Sequence, residues 1–250
     1  MIAALEHYAP HHQELRTRLI RSFLAIGICT VGAYLFVDQI AAFCMRPLFI
    51  AYPPLGHLVY TKLTEAFISY IKLSLLVGIL VSSPFLLYQV WMFVAPGLLE
   101  HEKRIARQVV FWATMLFAAG AVFAFFVVLP RTLHFFMSYA GPGLQPMPKL
   151  GLYLTFVARM VMAFGIAFEV PFLMVMAVRT GLVQRDHFRS RRKYFYMVIV
   201  ALSFLLAAGD ITATALLCLP LFGLYEAGII AGKVFSGTSR TEDDNSAAAD

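Results

Sequence analysis

The chain has 250 residues, of which 60% are hydrophobic and 14% charged, with a mean hydropathy of +0.77. That balance lies far from soluble averages and excludes an ordinary water-soluble domain, so the chain reads as an integral membrane protein. Its net charge of +6 is explained by where the basic residues fall between apolar segments, which removes nucleic acid as an expected partner.

The opening residues, Met1 to His7, lack a basic region followed by an apolar core. No cleavable signal peptide is expected there, and the first span itself would direct insertion. The run His11-His12-Gln13-Glu14-Leu15-Arg16-Thr17-Arg18-Leu19 predicts an amphipathic helix that passes directly into a first span over 20–36. Glu14 and Arg18 are four apart and can pair along the helix surface, and the plain reading of that pair is a solvated ion pair at the membrane boundary. His11 and His12 are adjacent, point to different faces and have no third ligand, so no metal is expected.

A second span is predicted over 69–94. Pro84 should kink it, Tyr88 and Trp91 suit the headgroup level, and Pro96-Gly97 should end it in a turn. Glu100 and Glu102 follow, in a loop that is otherwise basic. Carboxylates on such a surface suit a cationic ligand, above all one whose guanidinium groups bond bidentately.

A third span is predicted over 109–129 and a fourth over 152–178. The fourth carries Glu169, a carboxyl that costs about 3 kcal/mol in hydrocarbon unless something answers it. Pro171 stands two places after it and has no N–H, so the Ala167 carbonyl should lose its helical partner and the helix should bend. The last apolar segments, 194–208 and 211–230, are separated only by Gly209 and Asp210. The first is short and the second is interrupted by Pro220 and Glu226, so they are expected to form a tight hairpin that need not cross a full-thickness bilayer. Glu226 is expected to bond to neighbouring backbone or to Lys233. Residues 1–235 would thus form a single six-helix transmembrane domain, and residues 236–250, acidic among small residues, a disordered tail.

Lys and Arg assign the sides. Those before or at the very start of the first span, Arg21 included, in the second–third and fourth–fifth connections and after the last span number fourteen. The opposite side receives only Arg46, Lys62, Arg131 and Lys149. Both termini are therefore expected in the cytoplasm. Cys29, Cys44 and Cys218 have neither metal nor redox spacing and read as apolar fillers. No internal repeat is found, which weighs against the duplicated plan of many transporters. No G-x-S-x-G or H-E-x-x-H motif and no paired intramembrane aspartates occur, so an enzyme is not expected, and no cofactor is called for.

Taken in order, His11 to Leu19, Thr64-Glu65-Ala66-Phe67, the run from Pro84 to Arg104, Phe123-Ala124-Phe125-Phe126-Val127-Val128-Leu129-Pro130, and Phe164-Gly165 through Glu169-Val170-Pro171 resemble the TatC family. TatC is the receptor subunit of the twin-arginine translocase. The match covers the chain from His11 to about Gly232, and the block from Tyr88 to Glu102 is its most specific part. The resemblance implies an all-α, concave six-helix membrane protein with its last two helices short. Its implied work is to bind twin-arginine signal peptides and, with single-span TatA- and TatB-type subunits, to export folded proteins across the cytoplasmic (inner) membrane on the proton motive force.

By the same resemblance, Glu14 and Glu102 are the cytoplasmic acids that recognise the consecutive arginines, and Arg16 and Phe93 are neighbouring motif positions. Glu169 is the intramembrane acid associated with partner subunits, and Asp210 is the acid of the last turn. The chain departs from the family at Ala207-Ala208-Gly209, where Thr-Pro-Pro is usual, at Leu63, where a proline commonly stands, and at Arg159, usually neutral. The competing reading is an ion- or proton-coupled secondary transporter that uses Glu169 and Glu226, and proton flux carried by the protein alone would favour it.

Overall fold

The computed structural model describes residues 2–53, 55, 58–60, 62, 64–94, 103–139, 146–179, 183, 187–207, 211, 214–215 and 217–231; within them, the side chains of 2–12, 93–94, 103–107, 179 and 206 are not described. Among the described residues the regular structure is helical, apart from an isolated parallel bridge between Val59 and Lys149. Helices suit a bilayer, because hydrocarbon offers backbone N–H and C=O groups no partner and a helix pairs them internally.

Helix α1 spans Ile2–Leu35 and α2 Val37–Ala51. The chain turns at Phe36, whose φ and ψ of −113° and 18° interrupt the helix. Helix α2 was not anticipated from the sequence, although Val37, Ala41, Cys44 and Leu48 recur at helical spacing and form its buried face. Its mixture of polar and apolar residues is too short and too amphipathic to register as a span.

Helix α3 spans Glu65–Val94 and continues through Pro84. Hydroxyls along it are satisfied locally: Ser74 Oγ donates to the Tyr70 carbonyl at 2.8 Å and Ser82 Oγ to that of Ile79 at 3.2 Å. The third span is longer than its apolar core. It comprises α4 (Lys103–Phe123), a π-helical turn (Ala124–Val128) and α5 (Leu129–Met137). The wide turn precedes Pro130, which cannot donate to the ladder, and the Leu129 N–H reaches back to the Ala124 carbonyl.

Helix α6 spans Leu150–Arg179 and remains helical through Pro171. It is followed by a short α7 (His187–Ser190), α8 (Arg192–Leu206) and α9 (Leu217–Ala231). Four helical stretches, Gln13–Leu35, Glu65–Met92, Gln108–Met137 and Leu150–Val178, are long and apolar enough to cross a membrane. The 15 residues of α8 reach only about 22 Å, short of the roughly 30 Å of hydrocarbon. Large apolar side chains point outward in the first and fourth spans, as with Leu35 at 76% and Leu152 at 70% exposed, the arrangement expected where the surroundings are lipid.

The chain divides into two compact units, Met1–Met115 with Leu133–Ala158, and Leu116–Thr132 with Arg159–Asp250. In the first, α1 packs along α3, and α2 touches both. The backbones approach most closely at Gly78, where a Cβ would lie 2.8 Å from the backbone of Thr30. Tyr153 Oη donates to the Cys44 carbonyl at 2.7 Å, and the Leu150 N–H to the Val59 carbonyl at 3.0 Å, so the start of α6 is tied to α2 and to the segment before α3. Burial pushes the Cys44 thiol up to about 11, in keeping with an unreactive apolar filler.

In the second unit the third span meets α6 at Gly120, where a Cβ would stand 2.5 Å from the Phe164 carbonyl oxygen and 2.9 Å from Phe168 Cβ. Phe123 closes the contact, with ring centroids 6.1 Å from Phe164 and 5.5 Å from Phe168. A separate cluster joins Met174, Tyr225 and Ile229, with Phe188 and Phe195 packed against it. There Tyr225 stacks on Phe195 at 5.1 Å and donates its hydroxyl to the Phe188 carbonyl at 2.8 Å.

These two glycines are predicted to be intolerant of a side chain. Gly78→Ala and Gly120→Ala should each lower stability by roughly 1–3 kcal/mol, as overpacking does. Gly27→Ala and Gly223→Ala, where no neighbour lies within 4 Å, should be neutral or stabilising by up to about 1 kcal/mol. Thermal unfolding of the four variants in detergent checks the ranking, and a reversed order would refute the packing account.

Candidate functional site

Near the start of the first span, Glu14 is helical and half-buried. Its Oε1 accepts from both Nε and Nη2 of Arg18, the Nε contact being 3.1 Å. The i,i+4 pair expected from the sequence is therefore present, with the acid on the N-terminal side, the better orientation. Its surroundings are less solvated than a surface pair, since the side chains of Arg18 and Glu14 are 16% and 37% exposed. Arg18 also donates through Nη1 to Gln89 Oε1 on α3 at 3.3 Å, and Gln89 is itself buried. Glu14 Oε2 accepts no hydrogen bond among the described residues, which leaves one face of an accessible carboxylate open.

Gln89 was not singled out from the sequence. Its only signal there was an amide within an apolar run, whereas its partner stands 71 positions away and was chosen by the packing of α1 on α3. Arg16 is exposed and lies two residues from Glu14, about 200° around the helix, so the structure does not bring the two together. Phe93 belongs to the last turn of α3, with its side chain outside the described residues. Glu100 and Glu102, Asp210, the turn 208–210, Leu63, Lys233 and residues 236–250 also lie outside them.

Glu169 lies on α6 in the second unit, 7% exposed. Its Oε1 is buried without a hydrogen-bond partner among the described residues. Two residues on, Pro171 and then Met174 are approached by α9: a Cβ on Gly228 would lie 3.0 Å from Pro171 Cα and 2.9 Å from Met174 Sδ. Pro84 is exposed within α3. Arg159 is exposed on α6 and has no polar partner among the described residues.

Glu226 departs from expectation. Instead of bonding to neighbouring backbone, it accepts from Arg192 Nη2 at 2.9 Å and from Tyr196 Oη at 2.5 Å. Both partners are on α8, so this carboxylate ties α8 to α9. A helix-end arginine and a tyrosine one turn later lie on the same face of α8, and that spacing was readable. The identity of the facing acid was not. Among the described residues no group of three or more His, Cys, Asp or Glu side chains could hold a metal.

The geometry thus presents a guanidinium-bonded carboxylate at the start of the first span and an unanswered carboxyl within the fourth. The whole chain can be compared with known proteins. Residues 10–220 match the family model for the Sec-independent protein translocase protein TatC. The chain is 36% identical over 241 residues to the TatC of Desulforapulum autotrophicum, covering 96% of this chain and 89% of that one. It is 36% identical over 226 residues to that of Aquifex aeolicus (90% and 93%), and 32% identical over 234 residues to that of Escherichia coli K12 (94% and 91%). A crystal structure of the twin-arginine translocase receptor TatC superposes with a TM-score of 0.82 at 35% identity, covering 90% of this chain and 98% of the other. The matches to these relatives span nine tenths or more of this chain, and the chain belongs to the TatC family of Sec-independent protein translocase proteins.

Proposed function

We propose that the chain is the twin-arginine signal-peptide receptor and core subunit of a translocase that moves folded proteins across the cytoplasmic membrane on the proton motive force. The observation that carries this reading is Glu14: a half-buried carboxylate at the start of the first span that already binds a guanidinium and keeps an oxygen open. Glu102 would supply the second acid, on the same side of the membrane by the distribution of Lys and Arg. Two consecutive arginines need two carboxylates, and a planar fork that bonds bidentately distinguishes arginine from lysine. Arg16 and Phe93 would flank the site.

The topology we propose has six spans with both termini in the cytoplasm, α8 and α9 being the short fifth and sixth. The domain would extend over 1–235, with 236–250 as a tail and Asp210 in the turn between the last spans. Glu169 would be the docking point for single-span TatA- and TatB-type subunits, because a buried carboxyl oxygen without a hydrogen-bond partner among the described residues is stabilised by a donor that an incoming helix brings.

Glu14→Ala and Glu102→Ala should each weaken crosslinking of a twin-arginine peptide about tenfold or more, since hydrogen bonds to charged groups contribute about 1.5–3 kcal/mol. Membrane insertion should be unchanged. Undiminished crosslinking in both variants would remove the two acids from this role. A peptide with Lys-Lys in place of Arg-Arg should bind the unaltered protein more weakly, and equal binding would exclude bidentate recognition. Glu169→Ala should reduce co-purification of the single-span subunits while peptide crosslinking persists; a complex recovered at normal stoichiometry would count against docking at Glu169.

A further inference from the structure

We propose that Arg18 is a resident guanidinium that occupies the Glu14 carboxylate until an arginine of the signal peptide takes it over, and so sets the threshold that recognition must exceed; this rests on reading Glu14 as a peptide-binding acid. Arg18 carries the same chemical group as the ligand. It donates through Nε and Nη2 to one carboxylate oxygen, so its fork is spent on a single acceptor and Glu14 Oε2 is left for a newcomer. A peptide guanidinium can begin at Oε2 and, once Arg18 withdraws, close on both oxygens in the parallel geometry that Arg18 does not reach.

Arg18 has somewhere to go. Its Nη1 already bonds to Gln89 Oε1 at 3.3 Å, and Gln89 is held in α3 with 5% of its surface exposed. A displaced Arg18 therefore keeps a hydrogen-bond acceptor across the α1–α3 contact. The exposures fit an exchange in this direction, because Glu14 is the more accessible of the pair at 37% against 16%.

Exchange of one guanidinium for another is close to balanced, and the peptide gains only what its better geometry supplies. An ammonium is a point charge without a fork and gains nothing over Arg18. The cost of displacing Arg18 is common to both ligands, so the resident arginine raises the threshold for either by the same factor, and arginine is preferred over lysine through the geometry reached once Arg18 has withdrawn.

The test is a binding titration of a synthetic Arg-Arg signal peptide and its Lys-Lys counterpart against the full chain in membranes. It compares the unaltered protein with Arg18→Ala, Arg18→Met, Glu14→Gln and the double variant Glu14→Gln/Arg18→Ala. Arg18→Ala is expected to bind the Arg-Arg peptide about three- to fivefold more tightly, the size of a partly exposed ion pair released from competition. The Lys-Lys peptide should gain by the same factor, so that the ratio between the two is kept. Arg18→Met, which keeps the aliphatic stem against α3, should show the same shift, and the double variant should show no gain over Glu14→Gln. Unchanged or weaker binding in Arg18→Ala and Arg18→Met, with Glu14→Gln impaired, overturns the competition and leaves the peptide site standing. Unimpaired binding in Glu14→Gln overturns the peptide site itself, and the competition with it.

Discussion

Hydrocarbon provides no hydrogen-bond partner for the peptide backbone, and the remainder of this structure follows from that constraint. Each span must close its own ladder as a helix, and each interruption must be contained where the chain can tolerate it. The prolines show how. Pro84 and Pro171 are absorbed inside α3 and α6 without ending either helix. Pro130 is preceded by a π-helical turn in which the Leu129 N–H reaches the Ala124 carbonyl, so the wider turn takes up the missing donor. Some hydroxyls within the spans bond back to carbonyls of their own helix, as Ser74 does to Tyr70 and Thr132 to Val128, whereas Thr30 Oγ1 and Ser203 Oγ are buried without a hydrogen-bond partner among the described residues.

The same constraint makes side-chain polarity informative. Burial of apolar surface cannot select a partner helix in lipid, so close backbone approach and polar contacts must. Gly78 and Gly120 supply the approach. Arg18 with Gln89 across α1 and α3, and Glu226 with Arg192 and Tyr196 across α8 and α9, supply the polar contacts. Where such a group is left unanswered within the described residues, as Glu169 Oε1 is, the chain departs from self-sufficiency, and in a translocase subunit that is where another protein can contribute. Glu14 is intermediate: it is answered by its own Arg18, yet accessible and with an oxygen to spare.

Much of this was legible beforehand. The four long spans stand out because twenty or so apolar residues have few other uses, and the Glu14–Arg18 pair follows from a spacing of four on any helix. Other features escaped for identifiable reasons. Helix α2 is amphipathic and 15 residues long, so hydropathy passes over it although its apolar residues keep helical spacing. The third span continues to Met137, beyond its predicted end, because the π-helical turn carries the helix past a proline that ordinarily reads as a stop.

By itself the sequence determined the class, the four long spans and the family resemblance, since these depend on local composition, on periodicity and on motifs contiguous in the chain. Only the tertiary structure decided that Arg18 meets Gln89 from 71 positions away, that Glu226 meets Arg192 and Tyr196, and that Glu169 Oε1 meets no described residue. Contacts of that kind depend on which helix faces pack together and how closely their backbones approach, and neither is contained in the spacing of residues along one helix.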